Sequence, residues 1–447
     1  VPNTAPSTRE LVSNTLTLIL AGGQGQRLSP LTKDRSKPAV PFGAAYRIVD
    51  FTLSNCLNSG LRQIFVLTQY KSFSLDAHLQ RGWNVFSYES GEFCYRIPPQ
   101  HRVGQKWYTG TADAVYQNIY LLEERRPTHV VILSGDHIYR MDYSRMLKSH
   151  TQHPGCLTLS AAVVPKEGAD QFGILEVDED WNVVGFAEKP AVPKTIPGDP
   201  DHCLVNMGVY IFDTQDLVRE LCSDVKQTHS HHDFGRDIIP ALVARGQVKA
   251  YPFQDLHTPG PCYWRDIGTL DSYYEANMDL VSRNPNFDLY DPKWIFRAWQ
   301  PPLPPCKSVC GFTEDGMLHG RVEDSIVGSG TVISGGNVVR SLVGRGVRVN
   351  SFSRVTDSII MDNVDIGRYA ELRRCIVDKD VKIPEGFRIG FDSVQDRQMF
   401  TVSASGVVVV PKGMDLSEAT GIRASNPDGQ SGSEDESASA RGDTAGK

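Results

Sequence analysis

A chain of 447 residues exceeds one domain of ordinary size, and 40% hydrophobic with 22% charged residues supplies core for two folded units. The formal net charge of −7 argues against nucleic acid as a bulk partner, and no run approaches 18 continuous apolar residues, so no membrane span is expected. The first residues, VPNTAPSTREL, lack the apolar stretch of a secretion signal, and nine scattered cysteines suit reduced thiols in the cytoplasm.

Residues 1–14 read as an N-terminal extension, and the first strand-like run, TLTLILAGG, begins at Thr15. QIFVLTQY, HVVILSGD and LTLSAAVV follow, each short, apolar and ended by polar or glycine residues. DAVYQNIYLLEE and YSRMLKSH carry helical spacing between them. This alternation, over residues 15–300, predicts an α/β domain: a mainly parallel sheet with flanking helices and ligands at the carboxyl ends of strands.

After the first strand comes AGGQGQRL, which lacks the third glycine of the dinucleotide fingerprint and the lysine placement of a P-loop. A tight turn is one reading. The other is a phosphate cradle, in which Gly22, Gly23 and Gly25 let backbone N–H groups approach an anion beside Arg27. The basic loop that continues through Lys33, Arg35 and Lys37 favours the cradle.

Asp136 closes the strand VVILSG, where a carboxylate is costly unless a cation meets it. It reads either as a turn or cap residue or, at a strand's carboxyl end, as a metal ligand; Asp266 in CYWRDIGT is a second candidate. Together the two carboxylates suit a Mg²⁺ that bridges phosphate oxygens. In VVGFAEKP, Glu188 and Lys189 are a surface ion pair or, functionally, an acceptor for sugar hydroxyls beside an ammonium for a phosphate. His231, His232 and Asp233 suggest a metal set, but adjacent histidines diverge from most backbones, so a polar loop is expected there.

The proline-rich QPPLPPCKSV makes residues 301–320 a linker, and Cys306 and Cys310 within it have no histidines nearby to complete a metal site. The chain then repeats itself. Ile326, Val343, Ile360 and Val377 are 17 apart, as are Val332, Val349, Ile366 and Ile383, and Val338, Val355, Leu372 and Ile389. Steps of six, six and five fit no helix face but fit a three-sided parallel β-helix over residues 321–416. From Ser417 the composition is polar, with Ile422 as the only large aliphatic residue, so residues 417–447 are expected to be a disordered tail.

The motifs LAGGQGQRL, KPAVPFG, YRIVDFTLSN, WYTGTADAVYQN, GDHIYRMDY, FGILEVDED, HDFGRDIIP and YWRDIGTLDSYYEAN resemble the bacterial ADP-glucose pyrophosphorylase family, from about Thr15 to Leu416. AGGxGxRL alone marks only the wider sugar nucleotidylyltransferases; the combination is far more specific. The resemblance implies the conversion of ATP and α-D-glucose 1-phosphate to ADP-glucose and pyrophosphate, for glycogen synthesis. It implies a left-handed β-helix for regulation and oligomerisation, a homotetramer, and phosphorylated metabolites as effectors.

By the same resemblance, Arg27, Lys37 and Asp136 are catalytic. Gly22, Gly23, Gly25 and Arg27 bind nucleotide, and Asp136 with Asp266 binds Mg²⁺. Tyr108, Gly173, Glu188, Lys189 and Asn206 surround glucose 1-phosphate, although Ser is more usual than Asn206. Gln69 and Trp107 match residues that link regulation to catalysis, and Arg47, Arg373 and Arg374 are candidates for effector binding. Asp34 stands where a basic residue is expected and Pro41 where His or Tyr is usual, so an anionic effector is expected whose identity or potency differs from fructose 1,6-bisphosphate activation.

Rivals are weaker. A β-helix acyltransferase usually needs a histidine on its coils, and residues 321–390 have none. A dehydrogenase needs the complete dinucleotide fingerprint. Another sugar-1-phosphate nucleotidylyltransferase and a non-catalytic regulatory homologue stay open.

Overall fold

The computed structural model describes residues 6–100, 107–153, 155–254, 262–313, 316–318 and 320–417. The first five residues of the extension and the tail beyond Ser417 lie outside them.

Among the described residues nine strands build the main sheet: β1 (Thr15–Ala21), β2 (Gln63–Thr68), β3 (Phe93–Ile97), β4 (His129–Ser134), β5 (Leu157–Pro165), β6 (Gly173–Val177), β7 (Val183–Glu188), β8 (His202–Asp213) and β9 (Val248–Pro252). They lie in the order β7-β6-β8-β4-β1-β2-β3, with β5 paired to β8 and β9. β4, β1, β2 and β3 run parallel, as the buried apolar runs require. β8 enters beside β4 in the opposite direction, and carries β5 and β6 antiparallel to itself. Leu16, Leu18, Ile19, Val131 and Ile132 are sealed from solvent on both faces of the sheet.

Two local expectations change. DAVYQNIYLLEE forms two short helices, Thr111–Tyr116 and Tyr120–Arg125, rather than one. Between them the N–H groups of Asn118 and Ile119 bond three residues back, and Asn118 turns its amide to Ala114 O at 2.8 Å and Tyr108 Oη at 3.0 Å. A side chain that bonds the backbone in this way competes with the regular helix. Residues 8–13 of the expected extension form a helix whose Leu11 is buried in the catalytic core.

Among the described residues the second region stacks its coils into three sheets, parallel except for a last antiparallel strand, Thr401–Val402. One stacks Lys307–Val309, Val332–Ser334, Arg348–Val349, Asp365–Ile366 and Lys382–Ile383, so the coils begin inside the expected linker. The expected rows hold from the second coil onward: Val349 pairs Ile366, Ile360 pairs Val377, and Val355 pairs Leu372. In the first coil the third row holds, with Val338 opposite Val355, but the other two are offset by one: Ile333, not Val332, opposes Val349, and Val327, not Ile326, opposes Val343. Ile333 is accordingly the buried residue of that pair. Each corner is turned in the left-handed region, one row being Gly330, Gly346, Asn363 and Asp380 with φ of 74°, 65°, 60° and 61°. Gly, Asn and Asp tolerate that conformation best.

The two regions share one core. Phe42, Phe51, Tyr273 and Phe287 of the first pack in the same cluster as Leu342, Ile359, Met361, Ile376 and Val409 of the coils. Tyr274 donates its hydroxyl to Asp357 O at 2.7 Å across the junction. Among the described residues no helix is long and apolar enough to cross a membrane.

Candidate active site

A cleft of about 300 Å³ opens at the carboxyl ends of β1 and β4, lined among others by Arg27, Lys37, Asp136, Glu188, Lys189 and Asp266. Its centre is set by a two-stranded ribbon. His137–Tyr139, directly after Asp136, pairs antiparallel with Trp264–Asp266, and Asp266 lies opposite His137. Two carboxylates 130 residues apart are thereby brought to one point. Lys37, on the short 3-10 turn Lys37–Ala39, fills it: Nζ donates to Asp136 Oδ2 at 2.8 Å and to Asp266 Oδ1 at 2.9 Å.

The electrostatics follow from that geometry. Burial opposes the charge on Lys37, but Asp136 and Asp266 more than offset it and raise its pKa. Burial likewise opposes ionisation of Asp136, yet Lys37, His137 and the Ser134 hydroxyl hold its carboxyl well below the usual range. Two carboxylate oxygens that converge on one positive charge also fit a hard divalent cation, and Asp136, His137 and Asp266 offer ligand atoms within 4.8 Å of one another.

The glycine loop borders the cleft rather than lining it. Gly25 has φ 61°, and a Cβ there would sit 3.1 Å from Lys37 Cβ, so the turn that delivers Lys37 requires glycine. A Cβ on Gly23 would meet nothing within 4 Å, which leaves its backbone open to a ligand. Arg27 Nη1 donates to Gln171 Oε1 at 3.0 Å across the mouth of the cleft.

On the other side Glu188 ends β7. A Cβ on Gly173 would lie 2.9 Å from its Oε2, and one on Gly235 would lie 2.7 Å away, so two glycine backbones enclose this carboxylate. Lys189 is held at φ 47°, unusual for a residue before proline, with its N–H donated to Phe172 O at 3.1 Å. Its Nζ lies 3.3 Å from Glu188 Oε1 and is half exposed. Asn206 sits where the β8–β5 register shifts, a bulge that redirects side chains, and it donates to Tyr210 Oη at 2.8 Å.

Tyr108 is not among the residues that line the cleft. It stands behind it, its hydroxyl accepting from Asn118 and its carbonyl accepting from Gln69 Nε2 at 3.4 Å. Trp107 stacks on Tyr70 with centroids 5.1 Å apart. Sequence reasoning missed His137, Gln171 and Gly235, whose signal is spatial, and read Asp233 only as part of a polar loop. Asp233 caps the turn at Phe234–Ile238 and accepts from the Thr111 hydroxyl at 2.9 Å, which closes that wall. His231 and His232 lie in a loop, where His232 Nδ1 is 2.7 Å from Asp224 Oδ2.

The candidate effector residues do not gather into one cluster. Arg47 is half-buried at the domain junction, donating to Ala39 O at 2.8 Å and Ser74 Oγ at 2.7 Å. Burial, with Arg35 and Arg345 nearby, lowers its pKa to about 10. Arg373 instead lies over Phe391 and Arg374 over Tyr274, with guanidinium-to-centroid distances of 4.5 and 5.3 Å. The junction also contains ions that sequence reasoning did not connect. Arg35 binds both oxygens of Asp378 at 2.9 and 2.8 Å, and Asp362 accepts from Arg345 and Lys379, each at 2.8 Å.

Residues 16–283 match the family described as nucleotidyl transferase, and residues 304–410 match the GlmU-like, C-terminal hexapeptide family. The hexapeptide match and the parallel coils are consistent with a left-handed β-helix. The chain is 50% identical to glucose-1-phosphate adenylyltransferase of Rhodopirellula baltica over 92% of its own length and 93% of the relative's. It is 48% identical to glucose-1-phosphate adenylyltransferase 2 of Vibrio cholerae, covering 91% of this chain and 100% of that one. With the enzyme of the same name from Koribacter versatilis it shares 47% identity over 90% and 97% of the two lengths.

Proposed function

The chain belongs to the nucleotidyl transferase family, and from that premise we propose that it makes ADP-glucose and pyrophosphate from ATP and α-D-glucose 1-phosphate. The observation that carries this reading is the convergence of Lys37, Asp136 and Asp266 at the carboxyl ends of the parallel strands. Relatives at 46–50% identity over about nine tenths of the chain all bear the adenylyltransferase name.

In the proposed reaction an oxygen of the sugar phosphate attacks the α-phosphorus of ATP. A new P–O bond forms as the bond to the bridging oxygen breaks, and the electron pair leaves with pyrophosphate. Two anions must meet in line, so the protein's work is positioning and charge compensation rather than covalent catalysis. Arg27 and the open backbone at Gly23 hold the triphosphate from one side. Lys189 meets the sugar phosphate from the other, while Glu188 and Asn206 bond sugar hydroxyls. Lys37 places its ammonium between the two phosphates. Asp136 and Asp266 would hold Mg²⁺, which when bound supplies positive charge at the α-phosphate.

We further assign the product to glycogen synthesis, the chain to the cytoplasm and its assembly to a homotetramer through the β-helix. The nine free cysteines support a reducing compartment. Phosphorylated metabolites are proposed as effectors at the junction, where Arg47, Arg345 and Lys379 concentrate positive charge. The deciding experiment is pyrophosphate release with ATP and glucose 1-phosphate, set against other nucleotides and other sugar phosphates. Turnover confined to that pair supports the reading; equal or greater turnover with another pair, or none with any, rejects it.

A further inference from the structure

At the pole of the sheet opposite the cleft, three side chains from separate elements converge. His129 opens β4, Asp213 ends β8 directly across the ladder from it, and His150 is the last residue of the helix Tyr143–His150. His129 Nε2 lies 3.4 Å and His150 Nε2 lies 3.8 Å from Asp213 Oδ1, and the three ligand atoms fall within 4.8 Å of one another. We propose that His129, His150 and Asp213 form a binding site for a divalent transition-metal ion of the zinc class, separate from the catalytic centre. The proposal is independent of the activity assigned above. His129 and Asp136 are seven residues apart along an extended strand, which separates the two places by roughly 20 Å.

Hydrogen-bond accounting leaves the right atoms free. Thr128 Oγ1 donates to Asn14 O at 3.1 Å, so it accepts from His129 Nδ1 at 2.9 Å. That fixes the proton on Nδ1 and leaves the Nε2 lone pair for the cluster. The Thr158 hydroxyl, 2.7 Å from His150 Nδ1, can accept in the same way. His150 Nε2 is buried without a hydrogen-bond partner and faces the Asp213 carboxylate, an unmet polar atom that an ion bound between the two would satisfy. Histidine ligands commonly engage their second ring nitrogen in this way, which orients the ring toward the metal.

The spacing fits as well. Bonds of about 2.0–2.1 Å to a tetrahedral ion place ligand atoms about 3.3–3.4 Å apart. Two imidazoles and one carboxylate suit zinc and its neighbours rather than magnesium or calcium, which take oxygen ligands. Asp213 is 49% exposed on its side chain, and with Thr128 and Thr214 it lines a surface cavity of about 770 Å³, so an ion can enter and keep an open fourth position. Bound there, the ion would tie the end of one helix to the ends of two strands.

The test is equilibrium dialysis of chelator-treated full-length protein against Zn²⁺, with Co²⁺ as a spectroscopic probe. Wild type, His129→Gln, Asp213→Asn and Asp136→Asn are compared, each checked for folding by circular dichroism. The expected result is one ion whose affinity falls at least tenfold in His129→Gln and Asp213→Asn, with loss of the Co²⁺ visible bands. Asp136→Asn should keep that ion. Should His129→Gln fail to fold, the half-exposed Asp213 decides alone. Unchanged affinity in folded His129→Gln or Asp213→Asn, loss of all binding in Asp136→Asn, or no binding by wild type would overturn the proposal.

Discussion

The cleft and the domain junction are built from the same pieces, basic side chains paired with aspartates, and they use them differently. In the cleft, Lys37 bridges Asp136 and Asp266, whose side chains are 27% and 19% exposed. At the junction, Arg35 and Asp378 are 6% and 1% exposed and meet through two parallel hydrogen bonds. A pair that water and ligand can reach is exchangeable, because a phosphate or a metal can replace either partner. A pair sealed between two domains is not exchangeable without separating them. Location, not residue type, makes one constellation chemical and the other architectural.

That contrast can be broken or sharpened. The largest effect is expected at the junction. Asp378→Ala strands the Arg35 charge in a dry site, which typically costs about 3–5 kcal/mol, so the thermal midpoint should fall sharply. A midpoint within a degree or two of wild type would show that the junction admits water. Next comes Asp136→Asn in the cleft, where loss of a preorganised charge costs about 2.7–4 kcal/mol, or roughly 10²–10³ in kcat. Here the fold should survive, and near-normal turnover by the folded variant would remove Asp136 from the mechanism.

Lys189→Ala should raise KM for glucose 1-phosphate and leave kcat and the KM for ATP largely intact. Hydrogen bonds to charged groups contribute about 1.5–3 kcal/mol, and the half-exposed ammonium points to the lower end, roughly a tenfold rise. Equal rises in both KM values would place this lysine elsewhere.

A pH titration addresses the junction again. Burial opposes ionisation of Asp362, but Lys379 and Arg345 more than offset it and hold its carboxyl below the usual range. A depressed folded pKa gives stability that is complete above the unfolded value of about 3.9 and is lost as pH falls toward the folded one. The difference in unfolding free energy between wild type and Asp362→Asn should therefore be flat above about pH 5 and shrink below about pH 4. A difference that grows on acidification would contradict the assignment. Smallest of all, Arg340→Ala removes an exposed corner pair with Asp357, at 2.7 Å but 56% exposed on the arginine, and should cost no more than about 1 kcal/mol by denaturant melt. A larger cost would mean that exposure does not separate these classes.

Local pattern made most of the fold legible. Apolar runs ended by glycine or polar residues marked β1, β2, β4 and β5, and repeats of 17 marked the coils. The one-residue offset of the first coil was hidden because Ile326 and Val332 are as apolar as the neighbours that take their places. In the site, Asp136, Asp266, Glu188 and Lys189 were legible because strand ends announce themselves. That Lys37 would bridge the two aspartates was not, since it depends on the pairing of His137 with Asp266. Arg35 and Asp378, 343 positions apart, were invisible for the same reason: a contact made only by tertiary structure leaves no local periodicity. Arg373 and Arg374 show the opposite failure, a basic run that looks like one patch until the coil corner sends its members to different faces.

The common core beneath the junction has a consequence for how far this protein can be taken apart. With Phe51 and Phe287 packed beside Ile359 and Met361, the boundary between the two regions has the character of an interior. A nucleotide-binding half expressed alone would present that aromatic cluster to water and aggregate, and coils exchanged for those of a distant relative would have to match its shape. The molecule is two architectures in sequence joined by one packed core. Arg35, anchored on Asp378 of the coils, lies two positions before Lys37 in the cleft, so the same short loop is pinned at both the junction and the site.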